Sequence, residues 1–140
     1  MTTDDTEVRA LLEERTAACE TKDVERLMAL YSPGIVYYDV VPPLRFAGAD
    51  AVRGNFERWF GEYDGPIGLE TRELSVAVGG DVAFAHMLHL DTGTRTNGMR
   101  TAIWVRSSVS LRRTDRWLIT HEHISVPIDP ATRQAWLGEP

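Results

Sequence analysis

From Pro66 onward the apolar side chains recur at every second residue, in four stretches covering 69–78, 82–91, 99–113 and 117–126. A period of two sends alternate side chains to opposite faces of an extended chain, so this part of the sequence predicts four successive strands. Gly79-Gly80-Asp81 and Thr114-Asp115-Arg116 have the length of hairpin connections, and 92–98 reads as a looser polar loop. Such a meander has one apolar face to bury, and the elements that precede it must supply the cover.

Those elements are helical. Val8, Leu11, Leu12, Ala18 and Cys19 follow a 3.6-residue period over 6–20, with Glu13, Glu14 and Arg15 on the other side. Asp23 is a good N-cap for a second, short helix with Val24, Leu27, Met28 and Tyr31 on its inner face, which Ser32-Pro33-Gly34 ends. Residues 35–41 are β-branched and aromatic and predict a first strand, closed by Pro42-Pro43. Asp50 is expected to cap a third helix whose apolar face is Val52, Phe56, Trp59 and Phe60. The order helix, helix, strand, helix, four strands is α+β, with helices against one concave face.

At 140 residues and 43% hydrophobic content the chain suits a single domain over 1–140, with its core at about 6–127 and an arm at 128–140 that carries Trp136 and Leu137. The net charge of −6 and the scattered arginines exclude an electrostatic footprint for nucleic acid. The single cysteine, Cys19, rules out an internal disulfide and reads as core packing. No stretch approaches ~18 consecutive apolar residues and the N-terminus is acidic and polar, so no membrane segment or signal peptide is expected and the protein is predicted to be cytoplasmic.

Three segments, in this element order, resemble the nuclear transport factor 2-like superfamily, nearest its SnoaL-like polyketide cyclases and ketosteroid isomerase homologues: Tyr37-Tyr38-Asp39, Gly48-Ala49-Asp50-Ala51-Val52-Arg53 and the closing run Trp117-Leu118-Ile119-Thr120-His121-Glu122-His123-Ile124-Ser125. The resemblance extends over about 8–127. It implies a cone-shaped, curved antiparallel sheet wrapped around three N-terminal helices with a deep apolar pocket, and a homodimer formed through the outer sheet face. The superfamily includes isomerases, cyclases, dehydratases, epoxide hydrolases and assembly domains, so the fold alone does not select the reaction.

Alignment with ketosteroid isomerase places Asp39 on that enzyme's proton-shuttling base, with Tyr37 sharing its face. The same alignment turns the even-numbered residues of the later strands inward: Val82, Phe84, His86, Leu88 and Leu90, then Ala102, Trp104, Arg106, Ser108 and Ser110, then Leu118, Thr120, Glu122 and Ile124. Ile103, Val105, Val109 and Leu111, together with His89, His121 and His123, are then expected on the outer face. The isomerase's oxyanion-binding tyrosine and neutral carboxylic acid fall at about Thr16 and Ser108, so both donors are absent.

The expected function is a cofactor-independent isomerase or cyclase using acid-base chemistry on a hydrophobic, oxygenated small molecule such as a polyketide-type intermediate. Asp39, His86 and Glu122 would be the catalytic groups, and Arg106 a partner favouring ionised Glu122. Tyr37, Phe56, Trp59, Phe60, Phe84, Leu88, Trp104, Arg106, Ser108 and Thr120 would bind the substrate, with Arg95 and Arg100 near the mouth. No metal or organic cofactor is expected. The alternative is a non-catalytic pocket that stores or senses a ligand, or a dimeric assembly domain.

Overall fold

The computed structural model describes residues 2–140. Its elements are α1 (Thr3–Glu20), α2 (Val24–Met28), β1 (Tyr31–Tyr38), β2 (Phe46–Ala47), α3 (Ala49–Gly61), β3 (Tyr63–Gly79), β4 (Val82–Arg95), β5 (Arg100–Arg113) and β6 (Trp117–Ser125). The six strands form one sheet in the order β2-β1-β6-β5-β4-β3. All neighbours are antiparallel except β1 and β6, which run parallel. The expected α+β architecture is observed, and the parallel pair is its one departure from a purely antiparallel sheet.

Three helix starts follow different chemistry. The hydroxyl of Thr2 accepts from the Asp5 backbone N–H at 3.1 Å, which begins α1 earlier than its apolar period suggests. Asp23 caps α2 by accepting from the Arg26 N–H at 3.1 Å, as expected, although Tyr31 belongs to β1 and not to that helix. α3 begins one residue before Asp50, after Gly48, whose φ of 91° lets the chain turn sharply out of β2 without a side-chain cap.

The sheet bends because its ladders are interrupted. Pairing of β3 with β4 shifts between Arg72 and Ser75, where Glu73 takes a φ of 56°, and pairing of β5 with β6 shifts between Ser110 and Leu111. Each bulge adds local twist and lets the sheet close around the helices. α1 packs on β3 and α3 on β1. One hydrophobic core joins Val8, Leu12, Leu27, Val52 and Phe56 of the helices to Ile35, Ala85, Val109 and Ile119 of the sheet. Cys19 is buried within it. Among the described residues no helix is long and apolar enough to cross a membrane.

The face that meets the helices corrects the expected strand parity. In β4 the buried residues are Ala83, Ala85, Met87 and His89, and in β5 they are Val105, Ser107, Val109 and Leu111, so the odd-numbered side chains point inward. His86, Phe84, Leu88, Trp104, Arg106 and Ser108 therefore lie on the face turned away from the helices. On β4 the inward positions include the small Ala83 and Ala85, while the larger Phe84, Leu88 and Trp104 lie on the open side. Phe84 is 45% exposed, and Trp104 is covered by the Arg72 guanidinium at 5.1 Å from its ring centre. Arg106 donates to the Ser125 hydroxyl at 3.0 Å on this outer side and does not approach Glu122.

The bulge in β6 rescues half of the expected pattern there. Trp117 and Ile119 face inward, Thr120 is the extra residue and donates to the Ser110 carbonyl at 3.2 Å, and beyond it Glu122 and Ile124 face inward. Thr120 and Leu118 thus do not face the helices, whereas Glu122 is fully buried on the helical side.

Candidate active site

Between α1, α3 and the concave face of the sheet lies a cavity of about 260 Å³. It is just below the usual size range of drug-sized ligand sites, and suits a ligand of one or two rings. Phe56, Trp59, Tyr63, Leu69, Ile103, Val105 and Ile124 give it apolar walls. Arg15, Tyr37, Asp39, His89 and Asp91 add polar groups, and Arg58, Glu62 and Arg95 line it as well.

Asp39 follows the end of β1 and uses both oxygens as acceptors. Oδ1 takes the Val40 backbone N–H at 2.7 Å and Oδ2 takes the Asn55 amide at 2.7 Å. Asn55, on α3, is in turn oriented by Arg58, whose Nε and Nη2 donate to its Oδ1 at 3.2 and 3.0 Å. The Arg58 Nη2 also lies 3.9 Å from Asp39 Oδ2. These contacts fix the carboxylate at the cavity wall in one rotamer, the condition for a positioned base.

Asp91 projects from β4 into the cavity between its cross-strand partners Leu69 and Ile103, on the same sheet face. Its Oδ1 is buried without a hydrogen-bond partner among the described residues. Burial pushes its carboxyl up to about 7, with Arg15 opposing and the charge of Asp39 adding to the rise. Two residues earlier, His89 shares a hydrogen bond between Nδ1 and the Thr71 hydroxyl at 3.1 Å, and its Nε2 is buried and unpartnered. Burial, helped by Arg15, lowers this imidazole to about 3, so it is neutral over the physiological range.

Behind one wall sits a closed ionic cluster. Arg15 donates from Nε to Glu122 Oε1 at 3.1 Å and to the Tyr31 hydroxyl at 3.2 Å, and from Nη2 to Glu122 Oε2. Tyr31 donates to Glu122 Oε1 at 2.7 Å. Burial is the largest influence and works against the charge of Arg15, yet Glu122 together with Tyr31, Cys19 and Tyr37 outweighs it and holds the guanidinium well above its ordinary value. Tyr31 and Tyr37 are pushed well above the usual phenol range by burial, so both hydroxyls stay protonated.

The structure thus gathers Asp39, Tyr37, Phe56 and Trp59 at the cavity, with Glu122 one layer behind it. Phe60 packs in the core against Phe56, ring centres 6.4 Å apart, and does not line the cavity. His86 lies outside, where it neighbours Phe84 at 6.1 Å between ring centres, so it cannot act on a ligand held inside. Arg95 lines the cavity and is paired with Glu62 at 3.1 Å, while Arg100 is exposed and donates to Thr94.

Arg15, His89, Asp91 and Asn55 were not anticipated from sequence. Arg15 occupies the spacing of the buried stripe Val8, Leu12, Arg15 and Cys19, which is i, i+4, i+7 and i+11. His89 and Asp91 stand at i and i+2, the period that places two polar groups on one strand face.

The arm after β6 completes the enclosure. Ile128 bridges to Ala135, and the Trp136 N–H donates to the Pro127 carbonyl at 2.7 Å, which returns the chain so that Ala135 and Leu137 line the cavity. Leu137 stays 50% exposed, so this wall is thin. Removal of 128–140 should speed dissociation of a hydrophobic fluorescent dye about tenfold, the equivalent of ~1.4 kcal/mol of apolar contact. Stopped-flow release from the full and shortened chains measures this, and equal rates would show that the arm takes no part in retention.

A family model described as a SnoaL-like domain matches residues 8–129. A nuclear transport factor 2-like protein of unknown function from Pseudomonas putida superposes with a TM-score of 0.91 at 30% identity, over 100% of this chain and 98% of that one. A nuclear transport factor 2-like superfamily protein from Salmonella enterica gives 0.82 at 19% identity, over 96% and 98%. A ketosteroid isomerase-like protein from Erwinia carotovora gives 0.78 at 19% identity, over 89% and 97%. No functionally curated protein matches the sequence.

Proposed function

The chain belongs to the SnoaL-like domain family within the nuclear transport factor 2-like superfamily, and from that premise we propose that its cavity is the active site of a proton-transfer enzyme, an isomerase or cyclase acting on a hydrophobic, oxygenated small molecule. The observation that carries this reading is Asp91, a carboxyl raised to about 7 with a buried, unpartnered oxygen, in an apolar cavity that it shares with Asp39. Two carboxyls in different surroundings can take opposite roles, one as base and one as acid.

Asp39 takes the proton from a carbon next to a carbonyl, and the C–H electron pair becomes the new carbon–carbon double bond of an enol. The carbonyl oxygen receives the proton of Asp91. Asp39 then returns its proton to a second carbon of the conjugated system while the Asp91 carboxylate recovers the hydroxyl proton, so both groups end as they began. In a ring closure the enol carbon instead attacks a second carbonyl of the same ligand, whose π pair moves to its oxygen and takes the proton from Asp39, while the enol hydroxyl returns its proton to Asp91. Phe56, Trp59 and Ile103 hold the carbon frame and exclude water. His86 and Arg106 have no part in this scheme, and Glu122 acts through Arg15 rather than on the ligand.

Solvent-deuterium exchange at carbons next to the carbonyl of small cyclic enones and diketones, followed by NMR, tests the reading. The native protein should catalyse exchange, and Asp39→Asn should lower the rate by about 10²–10⁴-fold. Absence of catalysed exchange across the panel, or equal rates in native and Asp39→Asn protein, would remove the enzymatic reading and favour a pocket that only holds its ligand.

A further inference from the structure

Proton abstraction next to a carbonyl builds negative charge on oxygen before the proton of Asp91 reaches it, and a donor that stabilises this charge must be in place before the reaction. Neither Thr16 nor Ser108 provides one: Thr16 donates to the Leu12 carbonyl at 3.2 Å, and Ser108 faces away from the helices. The structure offers a different donor on α1, one residue earlier.

Arg15 lines the cavity and is 4% exposed. Its hydrogen bonds to Glu122 and Tyr31 use Nε and Nη2, and Nη1 is left without a partner among the described residues. The planar guanidinium is held along one edge by two carboxylate oxygens and a phenol, so it cannot swing away to find a partner elsewhere. Glu122 is itself fully buried and takes its third hydrogen bond from Tyr31 at 2.7 Å. The other two arginines of the cavity are engaged: Arg58 with Asn55 and Glu62, and Arg95 with Glu62 and the Tyr63 ring, whose centre is 5.3 Å away.

We propose that Arg15 is the oxyanion-binding residue of this cavity, its free Nη1 donating to the oxygen of an enolate-like ligand, with Glu122 and Tyr31 as positioning residues that hold the guanidinium edge. The inference rests on the proton-transfer reading of the same cavity and assigns its ligand class: planar, apolar molecules whose oxygen carries delocalised negative charge, such as enols and phenols. Compact anions whose charge is localised on a carboxylate or phosphate group are disfavoured. Glu122 already balances the charge of Arg15, and Asp39 stands on another wall, so a carboxylate or phosphate would meet repulsion that a diffuse enolate oxygen largely escapes.

A series of nitro- and halophenols tests this, because bound phenol and phenolate differ in absorbance. The native protein should bind these phenols as phenolates at a pH where the free compounds are still protonated, and should bind benzoates of the same size at least tenfold more weakly. Arg15→Met alone would bury an unpaired Glu122, so the informative variant is Arg15→Met with Glu122→Gln, in which phenolate binding should fall at least 100-fold. Arg15→Lys, which keeps the charge and loses the fork, should fall about tenfold and serves if the paired variant does not fold. Wild-type protein that binds the phenols only in neutral form or not at all, or that prefers benzoates, overturns the proposal, as does unchanged phenolate binding in the folded Arg15 variants. Exchange chemistry and phenolate binding are read separately. Catalysed deuterium exchange without bound phenolate removes the role of Arg15 and leaves the enzyme, whereas Arg15-dependent phenolate binding without exchange removes the enzyme and leaves the binding site.

Discussion

Asp91→Asn is expected to abolish most of the catalysed exchange, by about 10²–10⁴-fold, while making the protein more stable at alkaline pH. The sign follows from proton counting. The carboxyl titrates near 7 in the folded protein against an ordinary value of 3.8, because burial disfavours its charged form. Below pH 4 both folded and unfolded chains hold the proton and Asp91 has no effect on the balance. Between about 4 and 7 the unfolded chain releases the proton while the folded one keeps it, so stability falls as pH rises. At ~1.4 kcal/mol per unit the accumulated loss is on the order of 4 kcal/mol by pH 8. Asparagine has nearly the shape of the protonated acid and no proton to lose. The variant should therefore melt close to the native protein at pH 4 and about 10 °C above it at pH 8. Thermal unfolding at the two pH values measures this, and an equal shift at both would show that the carboxyl is not held protonated by its surroundings.

The second large effect concerns the buried pair. Glu122→Gln keeps shape and an acceptor for Tyr31, but strands the Arg15 charge in a place 4% exposed. Removing one partner of such a pair costs about 3–5 kcal/mol, far more than the net worth of the pair itself. Arg15→Met together with Glu122→Gln removes both charges, and most of the lost stability should return. A denaturant double-mutant cycle reads the difference directly. If the single and paired variants lose the same amount, the charges are not coupled across the core and the description of Glu122 as a positioning residue fails.

The element order was legible because periodicity reports it directly, period two in the later strands and 3.6 in α1 and α3, whereas the wrapping of the sheet and the cavity came from the family resemblance. Phe56 and Trp59 were legible from the apolar face of α3, and Asp39 and Tyr37 from the alignment with ketosteroid isomerase; all four line the cavity. The inner face of β4 and β5 was misread because the alignment with ketosteroid isomerase set the parity one residue out, an error that in β4 the small inward Ala83 and Ala85 did nothing to expose. Ala83 and Ala85 hide the true interior, and Phe84 and Leu88 advertise a false one. With that inversion His86 was expected inside where Asp91 and His89 stand, and Arg106 was expected where Arg15 is the partner of Glu122. No local pattern marks Thr120 as a bulge, although it is what turns Glu122 back toward Arg15. Arg15 itself was hidden by the ordinary expectation that an arginine on an amphipathic helix faces water.

The adjacency of β1 and β6 has a bearing on how the protein is made. The strand that completes the middle of the sheet is the last to leave the ribosome, and it carries the carboxylate that neutralises a charge 107 positions earlier. During synthesis α1 therefore waits with an arginine on its apolar stripe, a residue that discourages early collapse onto any other surface. Emergence of β6 supplies Glu122, and only then can the cone close around its hollow, so nascent chains stalled before Trp117 should remain protease-sensitive along their whole exposed length.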